Sequence, residues 1–84
     1  MYELLFAEVV RKQQRTIPRK DLEKIKILVL SLRENPRPKQ CKKLVGGKNE
    51  YRMRYRKWRI LYSIDDPKKR VIVYGIVARK EAYR

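Results

Sequence analysis

Apolar and polar residues follow two different periods along this chain. In "RKDLEKIKILVLSLRE", residues 19–34, Leu22, Ile25, Leu28, Val29 and Leu32 recur at helical spacing and form one apolar stripe. Asp21 stands early in that segment, where a helix dipole favours a carboxylate. "ENPRP" then ends the helix with two prolines. Ile27 and Leu30 lie off the stripe. Nearer the N-terminus, "YELLFAEVV" predicts a strand over roughly residues 2–7. "AEVVRKQQR" predicts a short helix with a charged outer face, closed at Pro18. "KQCKKLVGGKNE" reads as a loop that Leu44 and Val45 tether to the core. Three strands follow, over 51–55, 58–64 and 71–78, with "DDPKKR" as the turn between the last two. The last is apolar on both faces, as a central strand requires. The order is β-α-α-β-β-β. The fold class is therefore α+β, with two N-terminal helices packed on one face of a small, mainly antiparallel sheet.

A period of two organises "YRMRYRKWRILY", residues 51–62. Side chains alternate along a strand, so Arg52 and Arg54 share one face and Tyr51, Met53 and Tyr55 the other. With Arg56-Lys57 as a two-residue turn, Tyr55 pairs with Trp58, Arg54 with Arg59, Met53 with Ile60 and Tyr51 with Tyr62. One face is then apolar and suited to the helices. The other carries Arg52, Arg54 and Arg59, with Leu61 and Ser63 beside them. Opposed arginines weaken a sheet by roughly 0.2–1 kcal/mol per pair. Such an arrangement makes sense where the face meets phosphate, to which arginine donates bidentate charged hydrogen bonds.

Composition points the same way. The chain has 84 residues, and one domain over 1–84 is expected. Lys+Arg is 24 and Asp+Glu is 9, a formal net charge of +15. That excess favours nucleic acid, an anionic membrane or an acidic protein as partner, and Arg56, Lys57, Lys42, Lys43 and Lys80 are further candidates for nucleic-acid contact. With Cys41 alone and no histidine, an internal disulfide, a conventional zinc site and a histidine-based triad are all excluded. No cofactor or metal is expected. A reducing cytoplasm is the natural compartment, and no membrane role is expected, because no apolar run approaches the length of a bilayer span. Cys41 reads as a small loop residue rather than a nucleophile.

The chain ends on "VARKEAYR", which places Arg79 just past the last strand and Tyr83 close behind it. An aromatic beside basic groups is a base-stacking platform, and the bland alternative is a ring packing down the tail.

These segments resemble the RelE/ParE superfamily of type II toxins, the RelE-like mRNA interferases above all. The resemblance rests on "NPRP" followed by "CKKLVG", on "YRMR" followed by "WRILY", and on the terminal "RKEAY". It implies a RelE-like, microbial-RNase-type fold and ribosome-dependent cleavage of mRNA in the A site without metal. The ribose 2′-OH attacks the adjacent phosphate and leaves a 2′,3′-cyclic phosphate. It implies catalytic roles for Arg52, Arg54, Arg59, Arg79 and Tyr83. Arg52 and Arg54 match the two basic positions of the second strand, Arg59 the arginine that stabilises charge at the phosphate, Arg79 the one serving the leaving 5′-oxygen, and Tyr83 the tyrosine that stacks on the base. It implies two partners: the ribosomal A site with its mRNA and rRNA, and a cognate antitoxin with an acidic or amphipathic helical segment. Ile27 and Leu30 are candidate anchors for that segment, unless the neighbouring helix buries them.

Three departures from the family pattern stand out. Arg56-Lys57 replaces a Gly-Asp turn, Ala78 stands where relatives often carry histidine, and arginine replaces lysine at the base position. Arginine is effectively always protonated. Lys57, Glu81 and Tyr83 remain as proton acceptors, or catalysis rests on charge stabilisation and positioning alone. Two other functions fit the same composition: a ParE-like inhibitor of DNA gyrase, and a non-catalytic basic RNA-binding domain.

Overall fold

The computed structural model describes residues 1–78. Strand β1 (Glu3–Phe6) leads into helix α1 (Glu8–Gln13), which tightens into a 3₁₀ turn over Gln14–Thr16. Helix α2 (Arg19–Ser31) follows, then β2 (Lys42–Lys43), β3 (Glu50–Tyr55), β4 (Trp58–Asp65) and β5 (Arg70–Ala78). Both helices pack against a five-stranded sheet of order β1-β5-β4-β3-β2. No helix among the described residues is long and apolar enough to cross a membrane.

Two features depart from the sequence expectation. The sheet is mixed, because β1 pairs with β5 in parallel while the other neighbours are antiparallel. The two helices separate β1 from its partner, and such a crossover permits parallel pairing where a tight hairpin does not. In addition, the expected loop contains β2, whose two residues pair Lys42 with Arg52 and Lys43 with Tyr51. Two residues are too few to carry a periodicity.

The apolar stripe of α2 goes where its spacing sends it. Ile25, Val29 and Leu32 are buried, with Leu22 and Leu28 half-buried against the same core. From the sheet, Met53, Ile60 and Tyr62 meet them. Ile27 and Leu30 remain 62% and 54% exposed, so the neighbouring helix does not cover them. In β5 the alternation is broken by a bulge. Leu61 faces Gly75, yet Tyr62 faces Val73, so Tyr74 is the extra residue. The bulge lets Val71, Val73 and Ile76 all be buried although they do not share one parity. Beyond Phe6, β1 no longer covers β5, and Gln13 of α1 accepts the Ile76 N–H instead at 2.8 Å.

A polar cluster fixes the segment between α2 and β2. The Tyr62 hydroxyl donates to the Pro36 carbonyl at 2.9 Å inside the core. Arg37 donates to Asp66 at 2.8 Å and to the Tyr51 hydroxyl at 3.1 Å, and Tyr2 donates to Asp66 at 2.7 Å. Hydrogen bonds from Arg37 and then Tyr2 hold the Asp66 carboxyl below its ordinary range. Burial, and then Cys41, pushes the Tyr62 phenol up. At the opposite end of the sheet, Trp58 donates from Nε1 to Asp21 of α2 at 3.1 Å, joining the β3–β4 hairpin to the helix. The turn of that hairpin holds Arg56 at φ 53°, a left-handed conformation that glycine adopts more readily.

Candidate nucleic-acid interface

The register of β3 against β4 is the one that alternation predicts. Arg54 pairs with Arg59, Met53 with Ile60, and Tyr51 with Tyr62. Paired residues share a face, so Arg52, Arg54 and Arg59 lie together on the side away from the helices. Strand β2 adds to them, because Lys42 pairs with Arg52 and joins that face. These four cations line a cleft of about 220 Å³, completed by Gln40 and by the β3 chain at Met53. The Met53 side chain is fully buried with the core, which leaves its backbone as the cleft's floor.

The four cations differ in freedom. Arg54 is exposed, Arg52 half-buried, and Arg59 only 2% exposed. A guanidinium keeps its charge even when buried. It also acts more strongly there, since the local dielectric is low. Arg59 is therefore an oriented charge at the inner end of the cleft, with the more exposed cations nearer solvent.

Acidic side chains are placed elsewhere. Asp21 lies 3.8 Å from Arg56, Asp66 bonds Arg37, and Glu3 bonds Arg70 at 3.0 Å. Among the described residues, Lys42, Arg52 and Arg54 have no acidic partner within 4.0 Å. Glu50 shares their face by parity, but it stands at the far end of β3, opposite Ser63. Among the described residues the cleft thus presents converging positive charge with no counter-ion for those three, an arrangement suited to an anion. No cluster of three or more His, Cys, Asp or Glu fit to hold a metal ion occurs among the described residues.

Among the described residues, the others singled out in the sequence do not line this cleft. Lys43 shares the helix-side face with Tyr51. Arg56 leans over the Tyr55 ring and toward Asp21. The Lys57 amine sits 5.3 Å from the centre of the Trp58 ring, whose indole bonds Asp21 on the helix side. Cys41 is half-buried against the core. Arg79, Lys80, Glu81 and Tyr83 lie outside the described residues. Gln40 was not visible as a site residue. A lone glutamine in a basic loop carries no signal, and only the pairing of β2 with β3 brings it to the arginines.

A second concavity, of about 330 Å³, lies between the helices at the other side of the molecule. Phe6, Val10, Leu22, Val29 and Leu30 line it with apolar surface, and Arg11 and Lys26 also line it. Leu30, off the core stripe, is thus part of a groove wall, whereas Ile27 is exposed outside it.

Known proteins resemble the chain over nearly its whole length. The family model described as ParE toxin of the type II toxin–antitoxin system parDE matches residues 2–83. The protein named "Putative toxin RelE1" of Methanocaldococcus jannaschii is 36% identical, over 89% of this chain and 87% of its own length. The isolated E. coli RelE toxin superposes with a TM-score of 0.82 at 29% identity, over 99% of this chain and 92% of that one. The toxin fold in the intact E. coli RelBE toxin–antitoxin complex matches with a TM-score of 0.82 at 28% identity, over 93% of this chain and 96% of that one.

Proposed function

The chain belongs to the RelE/ParE superfamily of type II toxin–antitoxin toxins, and on that premise we propose that it is a ribosome-dependent mRNA endoribonuclease that arrests translation. One observation carries the proposal: Lys42, Arg52, Arg54 and Arg59 converge on one cleft, and among the described residues the first three have no acidic partner within 4.0 Å.

The chemistry follows from that charge. The ribose 2′-oxygen forms a bond to the adjacent phosphorus, and the bond from phosphorus to the 5′-oxygen breaks. A 2′,3′-cyclic phosphate is left on one fragment, and the departing 5′-oxygen takes up a proton. Negative charge concentrates on the phosphoryl oxygens at the transition state. Preorganised cations aimed at those oxygens stabilise it more than the ground state. Arg59 is suited to that role because burial fixes it. Arg54 and Arg52 hold the phosphate backbone, and Lys42 adds a point charge at the rim. None of the three arginines accepts a proton, and Lys57 is directed at Trp58 rather than into the cleft. The reading most consistent with this geometry is catalysis by positioning and charge, with the proton leaving to water or to ribosomal RNA.

The partner that holds the toxin inactive is a cognate antitoxin. The groove walled by Phe6 and Leu30, with Arg11 and Lys26 among its lining residues, fits an amphipathic segment with acidic flanks.

A second reading has a specific observation behind it, since the matching family model is named for ParE. It makes the chain a DNA gyrase inhibitor. Primer extension on mRNA from translating ribosomes separates the two. Cuts phased with codons in the A site are expected here. Intact mRNA together with lost gyrase supercoiling would establish the second reading, and intact mRNA with plain ribosome binding would leave a non-catalytic RNA-binding domain.

A further inference from the structure

We infer that Gln40 reads a nucleobase edge beside the scissile phosphate and so sets sequence preference, an inference that rests on the nuclease reading of the cleft. Gln40 is the neutral polar side chain in a wall otherwise made of Lys42, Arg52, Arg54 and Arg59. Those four only donate hydrogen bonds, whereas the glutamine amide both donates and accepts. A phosphate carries acceptors alone, so the Gln40 carbonyl oxygen has nothing to offer it. A base edge presents donors and acceptors together, and unstacked single-stranded bases are read along such edges. Phosphate contacts position the strand and base contacts specify it. Among the described residues the cleft has side chains of both kinds, and Gln40 is the one of the second kind.

Discrimination also needs a fixed reader, and the segment carrying Gln40 is held at both ends. Upstream, the Pro36 carbonyl is bound by Tyr62, and Arg37 is bound to Asp66 and Tyr51. The Cys41 N–H closes a turn on the Pro38 carbonyl at 3.0 Å, which places Gln40 at the turn's third position. Downstream, Lys42 is locked into register with Arg52. Among the described residues the Gln40 side chain makes no hydrogen bond of its own, and it is exposed in the cleft wall. The amide is therefore presented from a pinned turn with its donors and acceptor available for a ligand.

The test is single-turnover cleavage on ribosomes programmed with an mRNA library randomised at the A-site codon and the nucleotides flanking it. Fragment ends are sequenced for the wild type and for Gln40→Ala, Gln40→Glu and Lys42→Ala. Gln40→Ala is expected to flatten preference at one nucleotide position by about tenfold or more, the discrimination that one well-formed bidentate contact supplies. Gln40→Glu is expected to lower cutting at all sequences, because its charge repels the backbone. Lys42→Ala is expected to lower cutting uniformly and leave the profile unchanged. A Gln40→Ala profile that superimposes on an active wild type at every position overturns this inference alone. A wild type that cuts nowhere overturns the nuclease reading, and this inference with it.

Discussion

Arg37 and Arg54 are the same residue type with opposite surroundings. Arg37 is held by a carboxylate, a phenol and the face of the Tyr51 ring, and its charge is satisfied within the fold. Arg54 stands opposite Arg59, and among the described residues no acid lies within 4.0 Å of it. One arginine is bonded within the fold, and the other is paired across the strands with a second cation. In a small domain with only a few kcal/mol to spare, like charges opposed across a sheet are a cost. Their persistence points to an external anion. The position of a few acids, rather than the number of arginines, separates Arg37, which is tied into the fold, from Arg54, which faces the cleft.

The largest expected effect tests the working set. Arg54→Ala and Arg59→Ala should each lower single-turnover cleavage by about 10²–10³. Ribosome affinity should fall far less, because many basic groups share that contact. Arg54 is exposed, so its variant keeps the fold even if Arg59→Ala does not. Equal losses in cleavage and affinity would reduce both arginines to parts of a binding surface.

Arg37→Ala should do the reverse. It removes the bond to Asp66 and leaves the Tyr51 hydroxyl without its partner. A loss of about 1–2 kcal/mol in stability is expected. For a domain of this size that is a fall of roughly 4–16 °C in Tm by calorimetry. Cleavage by the folded fraction should fall less than tenfold. A larger loss without a change in Tm would place Arg37 among the working cations.

Acid should act on the holding set first. The Asp66 carboxyl lies below its ordinary value of 3.8, because Arg37 and then Tyr2 favour its charged form. Its stabilising contribution is therefore present above that value and is lost as pH falls through the lowered folded one. Asp66→Asn should remove this part of the acid limb in a pH series of melts. An unchanged limb would show that the exposed cluster contributes nothing measurable, as many surface ion pairs do.

The smallest effect concerns the β3–β4 turn. Arg56 holds a left-handed φ of 53° and reaches Asp21 only at 3.8 Å. Arg56→Gly should relieve backbone strain and shift stability by under about 1 kcal/mol, toward greater stability. Cleavage should change little. A tenfold loss of cleavage would bring Arg56 into the working set despite its direction.

Much of this contrast is legible in the sequence. Strict alternation over 51–62 is enough to place Arg52, Arg54 and Arg59 on one face and to set the β3–β4 register. The stripe on α2 is enough to set its buried side. Long-range pairings are not legible, since local periodicity carries no information about partners. The parallel seat of β1 on β5, the bulge at Tyr74 and the two-residue β2 are of that kind. Missing β2 also hides Gln40. The burial of Arg59 is likewise a tertiary fact, because arginine on a polar face reads as exposed. The groove beside Leu30 is half legible: the α2 side is visible in the sequence, but the residues that β1, α1 and β5 add to it are not.

The central claim is that the cations converging on this cleft drive attack of a ribose 2′-oxygen on its own phosphate. The most direct measurement is the chemistry of the fragment ends after single-turnover reaction on programmed ribosomes. The account predicts a 2′,3′-cyclic phosphate on the upstream fragment and a 5′-hydroxyl on the downstream one, both lost in Arg54→Ala. Fragments ending in a 3′-hydroxyl and a 5′-phosphate, or mRNA left intact by the folded protein, would contradict it.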